Sequence, residues 1–118
     1  MNVLIVDDNK ASADLLQEVL ALHDHTALCT YTAQQALDAA VAGSFDAALI
    51  DLTLPDLPGT EVARRLRAST AAGTPKLLVA VSGFSAQDVG GQSAEGLFDH
   101  HLQKPVDIGE LERILVQR

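Results

Sequence analysis

Strand-like and helix-like hydrophobic patterns alternate along the whole chain. Continuous apolar runs predict buried parallel strands, because helices that cover both faces of a sheet leave no polar side. The predicted strands are residues 3–7, 26–31, 45–52, 76–81 and 100–103. Between them, apolar residues recur at the three- and four-residue spacing of amphipathic helices. The predicted helices are residues 11–23, 32–43, 60–69, 85–95 and a last segment that follows Asp107.

Five successive β-α units with short connections predict right-handed crossovers between parallel strands. The fold class expected is therefore α/β, a doubly wound five-stranded parallel sheet with helices on both faces. The second strand is short and polar, which suits an edge strand and the flavodoxin-like order 2-1-3-4-5. Because the pattern contains no linker or repeat, we expect residues 1–118 to form one domain.

Local signals refine some of the helices. Thr32 and Gln35 have the spacing of a capping box, and Asp107 stands before the last helix as an N-cap. The pair Gly90-Gly91 weakens the fourth helix, because each glycine costs about 1 kcal/mol relative to alanine. The first helix has apolar residues at helical spacing, namely Leu15, Leu16, Val19, Leu20 and Leu22.

Composition narrows the classes of function. Hydrophobic residues make up 47% of the chain and aromatic residues 3%, so the core is expected to be aliphatic. The formal charge of −8 argues against direct binding to nucleic acid, which needs a basic surface. The apolar runs are too short to cross a membrane, and no basic leader precedes one. With Cys29 as the single cysteine, we expect a cytoplasmic protein.

Polar residues follow four of the predicted strands. Asp7 and Asp8 follow the first, Asp51 the third, Ser82 the fourth, and Lys104 the fifth. In open α/β sheets the ligand crevice lies beyond the carboxyl ends of the strands. We therefore expect three carboxylates, a hydroxyl and an ammonium in one pocket, which is the composition of a metal-assisted phosphate site.

Three crowded carboxylates repel one another, and a hard divalent cation relieves that repulsion. We expect Asp8 and Asp51 to bind Mg²⁺ directly, Asp7 to act nearby or through water, and the backbone carbonyl of Thr53 to complete the site. A carboxylate can also be a nucleophile and form an aspartyl phosphate, and Asp51 is the candidate.

In that reaction, Lys104 would place a positive charge on the phosphoryl oxygens and Ser82 would donate a hydrogen bond to one of them. Each feature also has a simpler interpretation. A pair of aspartates after a strand commonly caps a helix, and Ser82-Gly83 and Lys104-Pro105 are common turn sequences. The argument for a site rests on their occurrence together, at successive strand ends.

The motifs VLIVDDN, ALIDLTLPDLPG, VAVSGFS and FDHHLQKPVD resemble the response-regulator receiver domain of two-component signalling. The resemblance covers the whole chain. It implies Mg²⁺ at Asp7, Asp8 and Asp51, and phosphorylation of Asp51 by a histidine kinase or a histidine phosphotransfer domain.

The same resemblance implies a conformational switch at Ser82 and Lys104, with a cis peptide before Pro105. It implies that residues at the positions of Thr53 and Phe84 influence the lifetime of the phosphoryl group. His101 stands where the family often has a tyrosine or phenylalanine that turns inward on activation. The last motif is most similar to receivers of hybrid histidine kinases. The protein that responds to phosphorylation is expected to be either fused to this domain or separate from it.

The function expected is a phosphoacceptor signalling domain that catalyses only its own phosphorylation and dephosphorylation. Two alternatives stay open at this point. One is a small phosphatase with an aspartyl nucleophile, which would be expected to carry a substrate-recognition insertion. The other is a protein-binding module that does not depend on phosphorylation, which would be expected to have a degraded acidic pocket.

Overall fold

The computed structural model describes residues 1–69, 73–82, 97–103 and 106–116, without the side chains of Ser82 and Val116. Five strands form one parallel sheet in the order β2-β1-β3-β4-β5. The strands are β1 Asn2–Val6, β2 Thr26–Thr30, β3 Ala47–Asp51, β4 Leu77–Ser82 and β5 His100–Gln103. The predicted fold class and strand order are confirmed.

The helices within the described residues agree with the prediction to within one or two residues at most ends. They are α1 Lys10–Leu22, α2 Ala33–Ala42, α3 Gly59–Ala68 and α4 Ile108–Val116. The predicted helix at residues 85–95 lies outside the described residues. The predicted strand at residues 45–52 is shorter in the structure, where β3 is Ala47–Asp51 and the N–H of Phe45 donates to the carbonyl of Gly73 in a loop.

Alternate residues of the strands face two separate apolar layers. Val3 and Ile5 pack on the side of α1 and α4, whereas Leu4 and Val6 pack on the side of α2 and α3. This period of two, with both faces covered, explains why each central strand reads as an unbroken apolar run. Among the described residues, no helix is long and apolar enough to cross a membrane.

Two of the predicted helix features have different outcomes. The Oγ1 of Thr32 accepts the N–H of Gln35 at 3.1 Å, so the predicted cap of α2 is confirmed. In α1, however, Leu15 and Leu22 are 59% and 83% exposed. The buried face of α1 instead consists of Ala13, Leu16 and Leu20. Apolar spacing alone did not distinguish these two faces.

Candidate functional site

The sheet brings the ends of β1 and β3 together. Because the strands are parallel neighbours with Val6 opposite Ile50, Asp7 and Asp51 follow at the same edge of the sheet. Carboxylate oxygens of Asp7, Asp8 and Asp51 all lie within 4.8 Å of one another. Asp7 is 3% exposed and Asp51 8% exposed, whereas Asp8 is exposed. The predicted convergence of the three acids is therefore present.

Asp7 is held by the turn that leads from β1 into α1. Its N–H donates to the carbonyl of Thr30 at 3.0 Å, and its Oδ1 accepts the N–H of Asn9 at 3.0 Å. The cap of α1 is Asn9, whose Oδ1 accepts the N–H of Ser12 at 3.0 Å. The simpler interpretation of Asp7 and Asp8 as helix caps is thus not needed, because Asn9 fills that role.

Asp51 is the last residue of β3, and the loop that follows is attached to it. Its Oδ1 accepts the N–H of Thr53 at 3.1 Å, and the N–H of Gly59 donates to the carbonyl of Leu52 at 3.0 Å. A Cβ on Gly59 would lie 2.3 Å from the carbonyl oxygen of Asp51. The start of α3 can therefore approach the backbone of Asp51 only because residue 59 has no side chain.

The donor set is suited to a hard divalent cation. Three carboxylates in one cluster repel one another, and two of them are almost fully buried, where water screens that repulsion poorly. A set of oxygen ligands in which Asp8 is exposed to solvent matches the preference of Mg²⁺, which keeps several of its waters. The residues present therefore fit a magnesium ion.

Comparison with known proteins identifies the family. Residues 3–116 match the family model described as the response regulator receiver domain. The chain belongs to this family.

A receiver domain from Methylobacillus flagellatus is similar, with 38% identity and a TM-score of 0.90 over 99% of this chain and 97% of that one. The receiver domain of the sensor histidine kinase PA1611 from Pseudomonas aeruginosa has 26% identity and a TM-score of 0.86, over 98% of this chain and 94% of that one. That structure has a magnesium ion coordinated in the active site cleft.

Among curated proteins, the response regulator ArlR of Staphylococcus haemolyticus is 30% identical over 110 residues, which are 93% of this chain and 48% of that protein. This receiver chain spans between a tenth and about half of the length of the curated relatives it matches.

Not all predicted site residues fall within the described part of this receiver domain. The backbone of Ser82 ends β4 and pairs with Gln103, the residue before Lys104. The proximity of the Ser82 and Lys104 side chains itself stays a prediction. The hydroxyl of Ser82 and the residues Phe84, Lys104 and Pro105 lie outside the described residues, so their predicted roles stay predictions. Thr53 is exposed in the loop after Asp51.

His101 is placed in β5 opposite Ala80. Its ring nitrogen Nε2 is buried and has no hydrogen-bond partner in the structure as described. A buried polar atom without a partner costs free energy, and a phenylalanine ring at this place would carry no such atom. His101 therefore places a polar ring atom where the described residues offer it no hydrogen-bond partner, and its predicted role as a switch stays a prediction.

Asp56 was not among the site residues that the sequence predicted. Both carboxylate oxygens of Asp56 accept backbone N–H groups at the start of α2, from Ala33 at 2.9 Å and from Gln34 at 3.0 Å. These two hydrogen bonds hold the pKa of Asp56 below its usual range. No sequence signal indicated this contact, because it depends on how the loop after β3 packs against the start of α2.

Proposed function

We propose that this receiver domain accepts a phosphoryl group on Asp51 from a histidine kinase or a histidine phosphotransfer domain. The observation that supports this most is the approach of the Asp7, Asp8 and Asp51 oxygens to within 4.8 Å, with Asp51 almost buried at the end of β3. Asp51 is 8% exposed, so its carboxylate is largely shielded from bulk water. It is therefore suited to attack a phosphorus atom brought in by a partner protein.

The carboxylates of Asp7, Asp8 and Asp51, with the carbonyl of Thr53, are the groups proposed to hold Mg²⁺. The cation would supply charge neutralisation for the phosphoryl oxygens and for the carboxylates themselves. Phosphoryl transfer depends mainly on positioning and charge stabilisation, so the protein needs little further chemistry of its own. Lys104 and Ser82 are proposed to contact the phosphoryl oxygens.

The transfer is balanced without another reactant. An oxygen of Asp51 attacks the phosphorus of a phosphohistidine, the P–O bond forms, and the P–N bond breaks as the imidazole leaves and takes up a proton. Later, a water molecule attacks the phosphorus, inorganic phosphate leaves, and the carboxylate of Asp51 is restored. The chain thus catalyses only its own phosphorylation and dephosphorylation.

The structure favours this reaction over a phosphatase with an external substrate. The loop from Asp51 to Gly59 is the longest described connection beside the acidic cluster, and it is tied down at both ends and at Asp56. It therefore offers no substrate-recognition insertion. A phosphorylation-independent binding module is disfavoured because the acidic cluster is intact.

The likeness to the PA1611 receiver, which belongs to a sensor histidine kinase, supports the proposed relation to hybrid kinases. A fused or separate output protein would then read the phosphorylated state. The donor would be a cytoplasmic histidine-containing protein.

The test is incubation of the protein with Mg²⁺ and a small acyl-phosphate or phosphoramidate donor. We expect a single adduct of one phosphoryl group that is stable in acid and labile in base, detected by intact mass spectrometry. Asp51→Asn should abolish the adduct. Asp38→Asn is the matched control, because Asp38 is an exposed aspartate on α2 whose Oδ1 accepts the side-chain amide of Gln34. Labelling that persists in Asp51→Asn would place the acceptor elsewhere.

A further inference from the structure

We infer that Asp56 is a positioning residue for the reaction at Asp51. Its carboxylate joins the loop after Asp51 to the first turn of α2 and thereby holds Thr53 in place beside the nucleophile. This inference rests on the proposed function and adds a residue to it. Asp56 does not touch the reacting atoms.

Both carboxylate oxygens of Asp56 accept a hydrogen bond from α2. Oδ1 accepts the N–H of Ala33 at 2.9 Å and Oδ2 accepts the N–H of Gln34 at 3.0 Å. Both N–H groups belong to the first turn of a helix, where the backbone has no intrahelical acceptor for them. A carboxylate near this end is also favoured by the helix dipole. One side chain of the loop is therefore fixed in both position and orientation by two donors of a rigid element.

The helix has another cap that does not involve the loop. Thr32 accepts the N–H of Gln35 through its own hydroxyl oxygen, at 3.1 Å. The donors of the first turn are thus divided between a local acceptor and a distant one. Thr32 stabilises only α2, whereas Asp56 stabilises α2 and also restrains the loop. This division makes the two roles separable by mutation.

The loop transmits this restraint to the site. Near Asp51, the N–H of Thr53 donates to Oδ1 of Asp51 at 3.1 Å, and near α3 the N–H of Gly59 donates to the carbonyl of Leu52 at 3.0 Å. Asp56 lies between these two attachments. Thr53 is three residues before Asp56, and its carbonyl is the proposed fourth oxygen for Mg²⁺. Release of Asp56 would therefore let Thr53 move relative to Asp51.

The experiment compares Asp56→Ala with Thr32→Ala at a temperature where both variants are fully folded. The quantities measured are the melting temperature, the Kd of Mg²⁺ by titration, hydrogen exchange of the Thr53 amide, and the rate of labelling by a small acyl phosphate at saturating Mg²⁺. Asp56→Asn is an intermediate variant, because its amide retains one acceptor oxygen for the two N–H groups.

We expect both alanine variants to have lower melting temperatures, because each leaves a helix N–H without its acceptor. Only Asp56→Ala should weaken Mg²⁺ binding, by about threefold or more, speed exchange of the Thr53 amide and slow labelling at saturating Mg²⁺. Asp56→Asn should lie between it and the wild type. If Thr32→Ala and Asp56→Ala change Mg²⁺ binding and exchange equally, or if neither does, Asp56 is only a helix cap and the inference is wrong.

The two proposals fail separately. If the wild-type protein takes up no label, the phosphoacceptor function is contradicted, whereas the Mg²⁺ titration and the exchange of Thr53 still decide whether Asp56 positions the loop. If the wild type is labelled on Asp51 and the Asp56 variant behaves like the Thr32 variant, only the role of Asp56 is refuted.

Discussion

The aspartates at the two edges of the sheet differ in whether other carboxylates lie close to them. At the edge where the strands begin, the carboxylates of Asp46 and Asp99 each accept hydrogen bonds from other segments of the chain. Oδ2 of Asp46 accepts the N–H of Asn2 at 2.7 Å, and Oδ2 of Asp99 accepts the N–H of Leu78 at 2.9 Å and a guanidinium N–H of Arg67 at 3.0 Å. At the edge where the strands end, three carboxylates lie against one another.

This difference distinguishes an acid that stabilises the fold from acids that are suited to bind a cation. Burial raises the pKa of Asp99, but the N–H of Leu78 and the charge of Arg67 outweigh it and hold that pKa below its ordinary value. The ionised form of Asp99 therefore stabilises the folded state. The carboxylates of Asp7 and Asp51 also accept backbone N–H groups, but the cluster brings three acidic side chains together, and this donor set suits a divalent cation.

The largest expected effects come from a glycine at each edge. A Cβ on Gly59 would lie 2.3 Å from the carbonyl oxygen of Asp51, and one on Gly73 would lie 2.1 Å from the carbonyl oxygen of Gly43. Because these contacts are with backbone, Gly59→Ala and Gly73→Ala should each lower the free energy of unfolding by about 2–3 kcal/mol, measured by urea denaturation.

Only Gly59→Ala should also slow phosphorylation of the folded protein, because only Gly59 adjoins Asp51. If folded Gly73→Ala loses as much labelling as Gly59→Ala, the effect is not specific to the edge that carries Asp51, and the prediction is wrong.

Magnesium should stabilise the protein through the acidic cluster. At a Mg²⁺ concentration about 100-fold above its Kd, linkage predicts a gain of about 2.7 kcal/mol and a matching rise in melting temperature. Asp8→Ala should remove this rise, because it deletes one of the three converging carboxylates. Asp99→Asn, at the other edge, serves as the control and should keep it. A full response in Asp8→Ala would exclude Asp8 as a ligand.

Removal of an acid at the other edge should be destabilising. Asp99→Ala leaves the N–H of the fully buried Leu78 without its side-chain acceptor, at a cost of about 1–2 kcal/mol. Asp99→Asn should cost less. The variant keeps an acceptor oxygen for the N–H of Leu78, and the ion pair that it loses, between Asp99 and Arg67, is partly exposed and contributes little.

The pH dependence of Asp99 has a definite sign. Since its folded pKa lies below the ordinary value of 3.8, its contribution is complete well above that pH and is lost as the pH falls through the folded pKa. Thermal denaturation from pH 6 to pH 3 should therefore show a steeper loss of stability in the wild type than in Asp99→Asn. If stability falls equally with pH in the wild type and in Asp99→Asn, the ionised form of Asp99 does not stabilise the folded state.

The smallest expected effect has the opposite sign. Without divalent cations, Asp8→Asn should raise the free energy of unfolding by about 0.5 kcal/mol, because it removes one of three repelling charges near the surface. Thermal denaturation in a chelator measures it, and about 1 M salt should reduce the difference between variant and wild type by screening. If Asp8→Asn instead lowers the free energy of unfolding, hydrogen bonds to the Asp8 carboxylate contribute more than the repulsion between the three acids.

Much of the fold and the centre of the site were predictable because their signals are local. Covered strands such as Ala47–Asp51 show continuous apolar runs, and Thr32 and Gln35 show a cap within four residues. The meeting of Asp7, Asp8 and Asp51 followed from one general property of parallel sheets, that strand ends share an edge. What failed was the choice between helix faces, as at Leu15, because leucine spacing does not show which side meets the sheet.

The sequence by itself determined the alternation of strands and helices, the strand ends that bear acids, and the polar residue at position 101. These depend on hydrophobic period and residue type, which are written along the chain. Tertiary structure alone decided that Asp56 binds the first turn of α2, that Gly59 must admit the carbonyl of Asp51, and that Nε2 of His101 is buried without a partner among the described residues. Those facts depend on distances between segments far apart in the chain, and packing sets such distances only when the whole sheet has formed.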